Sequence, residues 1–241
     1  MRSAIRRLSP VSTFILLFCL VITGCGGGTT GTSSTEEFKF VGTAKSASGQ
    51  PLSSTAMTVR SGADDAELVR SATDPLGLFE MELPASESSV VVAVGDTRSA
   101  PLARSFNGAS VLSTEMVSNS VGELAFQGTF EVQIDSTTLC PALTAYGNQL
   151  YQQAPLPAGE CIVAFTISST ELSAKNFTAA ITGDCQASDV AKPLTDSQSD
   201  SQLLVDLAPY LQADCSSFEV LVSHRDARAR SASFPVYGAA K

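Results

Sequence analysis

The chain has 241 residues, of which 15 are basic and 24 acidic, so its formal net charge is −9. A surface this acidic repels phosphate backbones, which argues against nucleic-acid binding. There is a single His and no Trp, and only 16% of the residues are charged. One His leaves little room for a His-based metal cluster or a His-dependent catalytic triad. The composition therefore predicts an exported, β-rich protein that is not an enzyme and holds no metal or cofactor.

The N-terminus has the layout of a secretory signal. Three Arg residues precede the apolar run FILLFCLVI at residues 14–22, which is short for a membrane span. The run ends in Ile22-Thr23-Gly24-Cys25, which resembles the bacterial lipobox with Ile22 where Leu is usual. The resemblance implies that residues 1–24 are removed and that Cys25 is lipidated. Two or three acyl chains anchor a protein stably, since each buried methylene contributes about 0.8 kcal/mol.

An ordinary signal peptide, with Cys25 present by chance, is the alternative interpretation. Residues 26–35 (GGGTTGTSST) favour the lipoprotein, because this composition is typical of a flexible, uncharged tether. Without the signal, 12 basic and 24 acidic residues leave a net charge of −12. By analogy with known sorting rules, Gly26 after the Cys indicates the outer membrane of a Gram-negative bacterium, on either its periplasmic or its surface face.

Four cysteines remain for disulfides once Cys19 leaves with the signal and Cys25 takes the lipid. An even number in an exported chain indicates two disulfides, and four cysteines allow three pairings. We favour Cys140–Cys161 and Cys185–Cys215, because neighbouring strands of an antiparallel sandwich are often sequential. A Cys₄ metal site is the rival interpretation, but the gaps lack CxxC-type spacing.

Short apolar runs separated by turn residues predict an all-β fold of two β-sandwich modules, at residues 36–126 and 127–241. In the first module, runs with period two or with continuous β-branched residues predict strands. These lie at residues 38–44, 55–60, 68–73, 78–83, 89–95 and 110–116.

Part of the first module is similar to a known family. The pattern includes Gly49-Gln50-Pro51-Leu52 and, after a strand, Thr73-Asp74-Pro75-Leu76-Gly77-Leu78-Phe79. It resembles the carboxypeptidase regulatory-like domain over about sixty residues, with departures at Ala44, Ser54, Thr55 and Met57. The resemblance implies a transthyretin-like sandwich that is generally a non-catalytic accessory fold of surface and envelope proteins.

The residues of this pattern also have a structural interpretation of their own. Gly49 and Gly77 supply backbone conformations that side chains resist. Asp74 can bond the amides of its own turn, and Phe79 anchors the core. Calcium ligation or acid catalysis by Asp74 is the competing interpretation, and the chain has neither an H-x-x-E motif nor a second His.

The second module has the pattern of a disulfide-containing immunoglobulin-like sandwich. Strands are predicted at residues 126–134, 161–168, 176–182, 203–207, 217–222 and 232–237, and one helical turn at residues 208–212. The last two strands flank a polar turn at residues 225–230. This half shows no resemblance to a particular family.

Arg225, Arg228 and Arg230 form the densest basic cluster of the mature chain. They are the first choice for a ligand contact, with a carboxylate, a phosphorylated headgroup or an acidic glycan as ligand. The alternative is that they keep the hairpin soluble. His224 is interpreted as a solvated hairpin residue rather than a catalytic base.

Two acidic runs and a tyrosine pair complete the candidates. Asp64, Asp65 and Glu67, and separately Asp196 and Asp200, match no calcium motif and are interpreted as solvated turns. Tyr146 and Tyr151 flank Gly147 in what reads as a polar loop. Their rings could stack on a sugar, although the lack of Trp weakens that interpretation.

These observations predict a non-enzymatic, lipid-anchored protein of the cell envelope. Its role would be binding or structural, in adhesion, envelope assembly or docking of another exported protein. A glycan-binding accessory module is the alternative, and a hydrolase with an unrecognised site is a third. The predicted partners are the membrane, through the N-terminal lipid, and an envelope protein or glycan.

Overall fold

The structure, a computed structural model, describes residues 36–119, 121–137, 139–155, 159–183, 201–212, 217–226 and 229–238. These residues form sixteen strands, a 3₁₀ turn (Ala174–Asn176) and one short helix, α1 (Ala208–Gln212). The first eight strands are β1 (Glu37–Lys45), β2 (Ala56–Ser61), β3 (Glu67–Ala72), β4 (Leu78–Pro84), β5 (Ser89–Val94), β6 (Thr97–Arg98), β7 (Leu102–Ala103) and β8 (Val111–Ser118). The other eight are β9 (Leu124–Ser136), β10 (Leu143–Tyr146), β11 (Gln149–Gln152), β12 (Ile162–Ser168), β13 (Phe177–Gly183), β14 (Gln202–Asp206), β15 (Ser217–His224) and β16 (Ala232–Tyr237).

The chain is an all-β protein, as its sequence predicted. The predicted strands and the helical turn are confirmed to within a few residues at their ends. The hairpin of β10 and β11 and the short strands β6 and β7 were not predicted. Within the described residues, no helix has both the length and the apolar character needed to cross a membrane.

The strands form three sheets. The central sheet has six strands in the order β14-β12-β9-β8-β1-β4, with β1 and β8 parallel. The N-terminal sheet has the order β3-β2-β5-β6, with β7 also paired to β5. The C-terminal sheet has the order β10-β11-β16-β15-β13, with β11 and β16 parallel.

Two hydrophobic cores lie on opposite faces of the central sheet. Phe40 and Leu112 belong to the core shared with the N-terminal sheet, whereas their chain neighbours Val41 and Val111 belong to the core shared with the C-terminal sheet. Successive side chains of a strand point to opposite faces, so β1 and β8 contribute to both cores. The arrangement is therefore two sandwiches that have one sheet in common.

A β-bulge lets β9 serve both cores. Leu124 packs in the first core, while Phe130 and Val132 pack in the second. All three numbers are even, so an unbroken strand would place these side chains on one face. The pairing with β8 shifts register before residue 130, and Gly128 there has a φ of 58°. The boundary predicted between residues 126 and 127 lies inside this strand.

The turn before β4 is built as the sequence suggested. Asp74 Oδ1 accepts hydrogen bonds from the amides of Leu76 (2.8 Å) and Leu78 (2.7 Å). Gly77 has a φ of 77°, a conformation that side chains resist. Phe79 is buried, and its ring lies over Gly42, where a Cβ atom would overlap that ring and the carbonyl oxygen of Thr114.

Candidate binding face

A cleft of about 350 Å³ opens between the central sheet and the β15–β16 hairpin. We call it the charged cleft. It is lined by residues of β1, β4, β8, β15 and β16 and of the turn before β16: Lys39, Val41, Glu80, Val111, Glu219, Leu221, Arg230, Ser231, Ser233 and Pro235.

The charges in this cleft compensate one another. The carboxylate of Glu80 lies 3.4 Å from Lys39 Nζ and 3.0 Å from Arg230 Nη1. Glu219 accepts a hydrogen bond of 3.0 Å from Ser233 Oγ. Two cations therefore face two carboxylates, so the cleft offers donors and acceptors without a net charge. Such a lining suits a polar, uncharged ligand better than a free anion.

This arrangement bears on the basic cluster predicted from the sequence. Arg230 lines the charged cleft, but its guanidinium is paired with Glu80, and its carbonyl accepts a hydrogen bond from Ser113 Oγ. Arg225 is exposed beyond the end of β15, where its backbone amide bonds Asn176. Arg228 lies outside the described residues. Of the predicted cluster, the structure places Arg230 in a cavity.

Three of the four tyrosines meet on one surface of the C-terminal sheet. The rings of Tyr151 and Tyr237 are stacked, with centroids 5.0 Å apart and an interplanar angle of 23°. Tyr146 meets Tyr151 edge-on at 5.7 Å. Tyr146 is 61% exposed and Tyr237 is 37% exposed. We call these three residues the tyrosine patch.

The tyrosine patch and the charged cleft belong to one face of β16. Ala232, Phe234 and Val236 of this strand are buried in the core. The alternating residues Ser233 and Pro235 line the cleft, and Tyr237 comes next in the same alternation. The cleft therefore continues along the strand into the patch, and we call the two together the binding face.

Tyr146 and Tyr151 were predicted to lie together in a polar loop, and Tyr237 was not predicted to join them. They lie instead in the β10–β11 hairpin, with Gly147 at a φ of 59° in its turn. A Gly-Asn pair between two short runs is a hairpin signal that the sequence did contain. Tyr237 joins them because β11 pairs in parallel with β16, Tyr151 opposite Tyr237. No local pattern indicates that pairing.

The prediction of a solvated His224 was wrong. This residue is 6% exposed, because it continues the inward alternation of Phe218, Val220 and Val222 along β15. Its Nδ1 accepts a hydrogen bond from the amide of Asp226 at 3.1 Å, which makes Nε2 the donor to the carbonyl of Ser173 at 3.1 Å. Both ring nitrogens thus serve the fold.

A second cavity, of about 410 Å³, lies between β7 and the central sheet and includes the buried carboxylate of Glu131. That carboxylate pairs with Arg104 Nε at 3.1 Å, and the two side chains are 2% and 1% exposed. It also accepts hydrogen bonds from the amides of Ser105 and Phe106 and from Ser110 Oγ. Because its oxygens are already engaged, Glu131 has a structural role.

Arg104 is equally well satisfied. Its terminal nitrogens donate to the carbonyls of Ala85, Glu87 and Gly108 and to Ser110 Oγ at 2.8 to 3.0 Å. The guanidinium also lies 3.7 Å from the centre of the Phe38 ring. Burial lowers the pKa of Arg104, and the charge of Glu131 opposes that shift. An arginine stays protonated at neutral pH, so this is a buried ion pair.

The acidic turn at residues 64–67 makes ion pairs on the surface. Asp65 bonds both Arg60 and Arg98, and the bond from Arg98 is the main reason why its pKa is lowered. Hydrogen bonding by the amide of Ala66 likewise lowers the pKa of Asp64. No group of three or more potential metal-ligating side chains occurs in the described part of the chain. Asp196 and Asp200 lie outside it.

Cys140 and Cys161 form a disulfide, with Cα atoms 4.3 Å apart. This is the pairing favoured from the sequence. The bond joins the segment before β10 to the start of β12 beside the C-terminal core, which includes both cysteines. Cys25, Cys185 and Cys215 lie outside the described residues, so the lipidation of Cys25 and the second disulfide stay predictions.

No protein-family model matches the chain, and no curated protein matches it. Among solved structures it is similar to a DUF3823 family protein from Parabacteroides merdae, at 12% identity over 85% of this chain and 100% of that one, with a TM-score of 0.25. It is also similar to BcpA, the major pilin subunit of Bacillus cereus, at 7% identity over 84% of this chain and 69% of that one, with a TM-score of 0.21. At such TM-scores neither likeness carries an argument about function.

Proposed function

We propose that this chain is a non-enzymatic, lipid-anchored protein of the bacterial cell envelope with a binding role, exerted through the binding face. The observation that carries the proposal is the continuity between the charged cleft and the exposed tyrosine patch. Tyr and Arg are enriched in the surfaces that proteins use for recognition, and contiguous exposed apolar patches mark interaction sites.

The scaffold beneath this face supports the same function. Except for Arg230 and Ser231 in the turn before β16, its side chains project from paired strands, and strands hold a site more rigidly than loops do. The single His is buried with both ring nitrogens bonded. The buried Arg104–Glu131 pair is likewise engaged in holding the segment at residues 104–110. These groups stabilise a surface and are not positioned for chemistry.

Site-specific photocrosslinking in living cells tests the proposal. A crosslinking residue replaces Ser233, which lines the charged cleft, or Leu76, which is 69% exposed in the turn before β4. We expect a defined crosslinked envelope component from position 233 and none of that size from position 76. Identical products from both positions would contradict recognition by this face. Multiple turnover by the purified protein would contradict the non-enzymatic role.

A neutral glycan is the second candidate for the ligand, and the charge balance of the cleft favours it. Glu80 offsets Lys39 and Arg230, while Glu219 presents an acceptor beside Ser233. Hydroxyl groups of a sugar can use both donors and acceptors there. Calorimetric titration with neutral envelope oligosaccharides would show binding that Glu219→Gln weakens and Thr178→Ala does not. Binding unaffected by Glu219→Gln would place the glycan elsewhere.

A further inference from the structure

We propose that the tyrosine patch contacts the surface of the bilayer that holds the lipid on Cys25. This proposal rests on the lipid anchor of the proposed function and adds an orientation to it. The binding face is turned towards the anchoring membrane, so a ligand of the charged cleft is reached along that membrane rather than on a distant cell.

The tyrosine patch lies at the end of the fold where the chain enters it. The carbonyl of Ser110 accepts hydrogen bonds from the amide of Lys39 and from Asn148 Nδ2, both 2.9 Å long. Asn148 belongs to the turn that follows Tyr146, and Lys39 is the third residue of β1. The patch and the entry of the chain into the fold at Glu36 therefore lie at the same end of the molecule.

The chain that connects the lipid-bearing Cys25 to the fold is short. Ten residues lie between Cys25 and Glu36, so the eleven steps from one to the other span at most about 40 Å when fully extended. The nine residues of β1 lead away from this end over about 30 Å. At the far end of β1, the amide of Ala44 donates a hydrogen bond to the carbonyl of Gly77, which is in the same turn as Leu76. The tether therefore keeps the whole fold near the membrane at a high effective concentration, and the patch lies closer to its attachment point than the Leu76 turn does, so that a weak contact of the patch is populated.

The side chains of the patch are of a type that suits the surface of a bilayer. Tyrosine places an apolar ring and a polar hydroxyl side by side, and it is enriched where membranes meet water. Tyr146 exposes 61% of its surface, and Tyr237 exposes 37%. The rings stand on strands of a sheet held by the core, so contact with the headgroup region requires no rearrangement.

The charge at this end of the fold determines which lipid headgroups the patch can contact. Glu36, Glu37 and Asp135 are exposed at this end of the fold, and the chain as a whole is acidic. Anionic headgroups would repel these carboxylates, with a range set by the salt concentration. The occupant is therefore a zwitterionic lipid surface, and added anionic lipid weakens the contact.

The chain contains no Trp, so a single introduced Trp is a site-specific fluorescent reporter. Tyr146→Trp reports on the patch, and Leu76→Trp, at a residue 69% exposed, reports on the opposite end. Each full-length lipidated protein is reconstituted into phosphatidylcholine vesicles with brominated acyl chains. Interfacial side chains lie about 5–10 Å into the headgroup boundary, so we expect roughly twofold stronger quenching at position 146 than at position 76.

Three results would overturn the proposal. If the protein floats with the vesicles but the fluorescence is quenched equally at both positions, the protein is anchored and the tyrosine patch does not contact the bilayer. If the protein does not float with the vesicles, it has no lipid anchor, and the proposed function is refuted together with the membrane contact. The third result concerns the emission of the Tyr146→Trp variant. If a neutral oligosaccharide changes this emission in the absence of vesicles, and vesicles do not change it, the patch binds a glycan and not a membrane. If Tyr146→Trp does not match the wild-type melting temperature, Tyr237→Trp replaces it as the reporter.

Discussion

Replacing Arg104 with Ala tests the interpretation that the buried ion pair is structural. The change removes the partner of Glu131 and the donors to the carbonyls of Ala85, Glu87 and Gly108. Breaking a buried pair by removing one partner costs about 3–5 kcal/mol, because a charge is left uncompensated. Typical domains are stable by about 5–15 kcal/mol, so this loss is a large share of the total.

The measurement is urea denaturation followed by circular dichroism. Arg104→Lys retains the charge but not the planar fork, so we expect a smaller loss than with Ala. Arg70→Ala is the matched control, because its pair with Glu67 lies on the surface, where such pairs contribute about 0–1 kcal/mol. If Arg104→Ala cost no more than Arg70→Ala, the structural role of the pair would be refuted.

Three further predictions use different parts of the fold. Replacing Cys140 and Cys161 with Ala opens a loop with a sequence separation of 21, so unfolding in urea should show a loss of about 3 kcal/mol. Gly42→Ala should abolish soluble folded protein because its Cβ atom has no space, whereas Gly49→Ala, at a φ of 80° in open space, should cost about 1–2 kcal/mol. Asp65 has a folded pKa below its ordinary value of 3.8, so its stabilisation is present above pH 3.8 and is lost as the pH falls through the lower folded pKa. On acidification, the melting temperature of the Asp65→Asn variant should therefore fall less than that of the wild type. An identical dependence of melting temperature on pH in the two proteins would contradict stabilisation by the Asp65 carboxylate.

The strands could be predicted from the sequence because their periodicity is local. Period-two alternation at residues 78–83 and 161–168 predicts strands that are buried on one face, and β4 and β12 are buried in this way. The Asp74 turn and the positive φ of Gly77 were predictable for the same reason, since the bonds are made within a few residues. The Cys140–Cys161 pairing was one of three that the cysteine count allowed.

The sharing of the central sheet was not predictable in this way. It depends on the parallel pairing of β1 with β8 and on the bulge in β9, and these are set by packing between distant segments. The tyrosine patch has the same origin, because Tyr237 reaches Tyr151 only through the pairing of β11 with β16. His224 was misjudged because the predicted strand ended at Val222, whereas β15 continues for two more residues and places His224 on its buried face.

The proposed envelope role and the proposed membrane contact both require a lipid on Cys25. Mass spectrometry of the N-terminal peptide, from cells fractionated into membrane and soluble parts, shows whether that lipid is present. We expect a membrane-bound protein whose first residue is Cys25, with a diacylglyceryl thioether and an acylated amine, and a soluble Cys25→Ser variant. An unmodified Cys25 in a soluble wild-type protein would contradict both proposals.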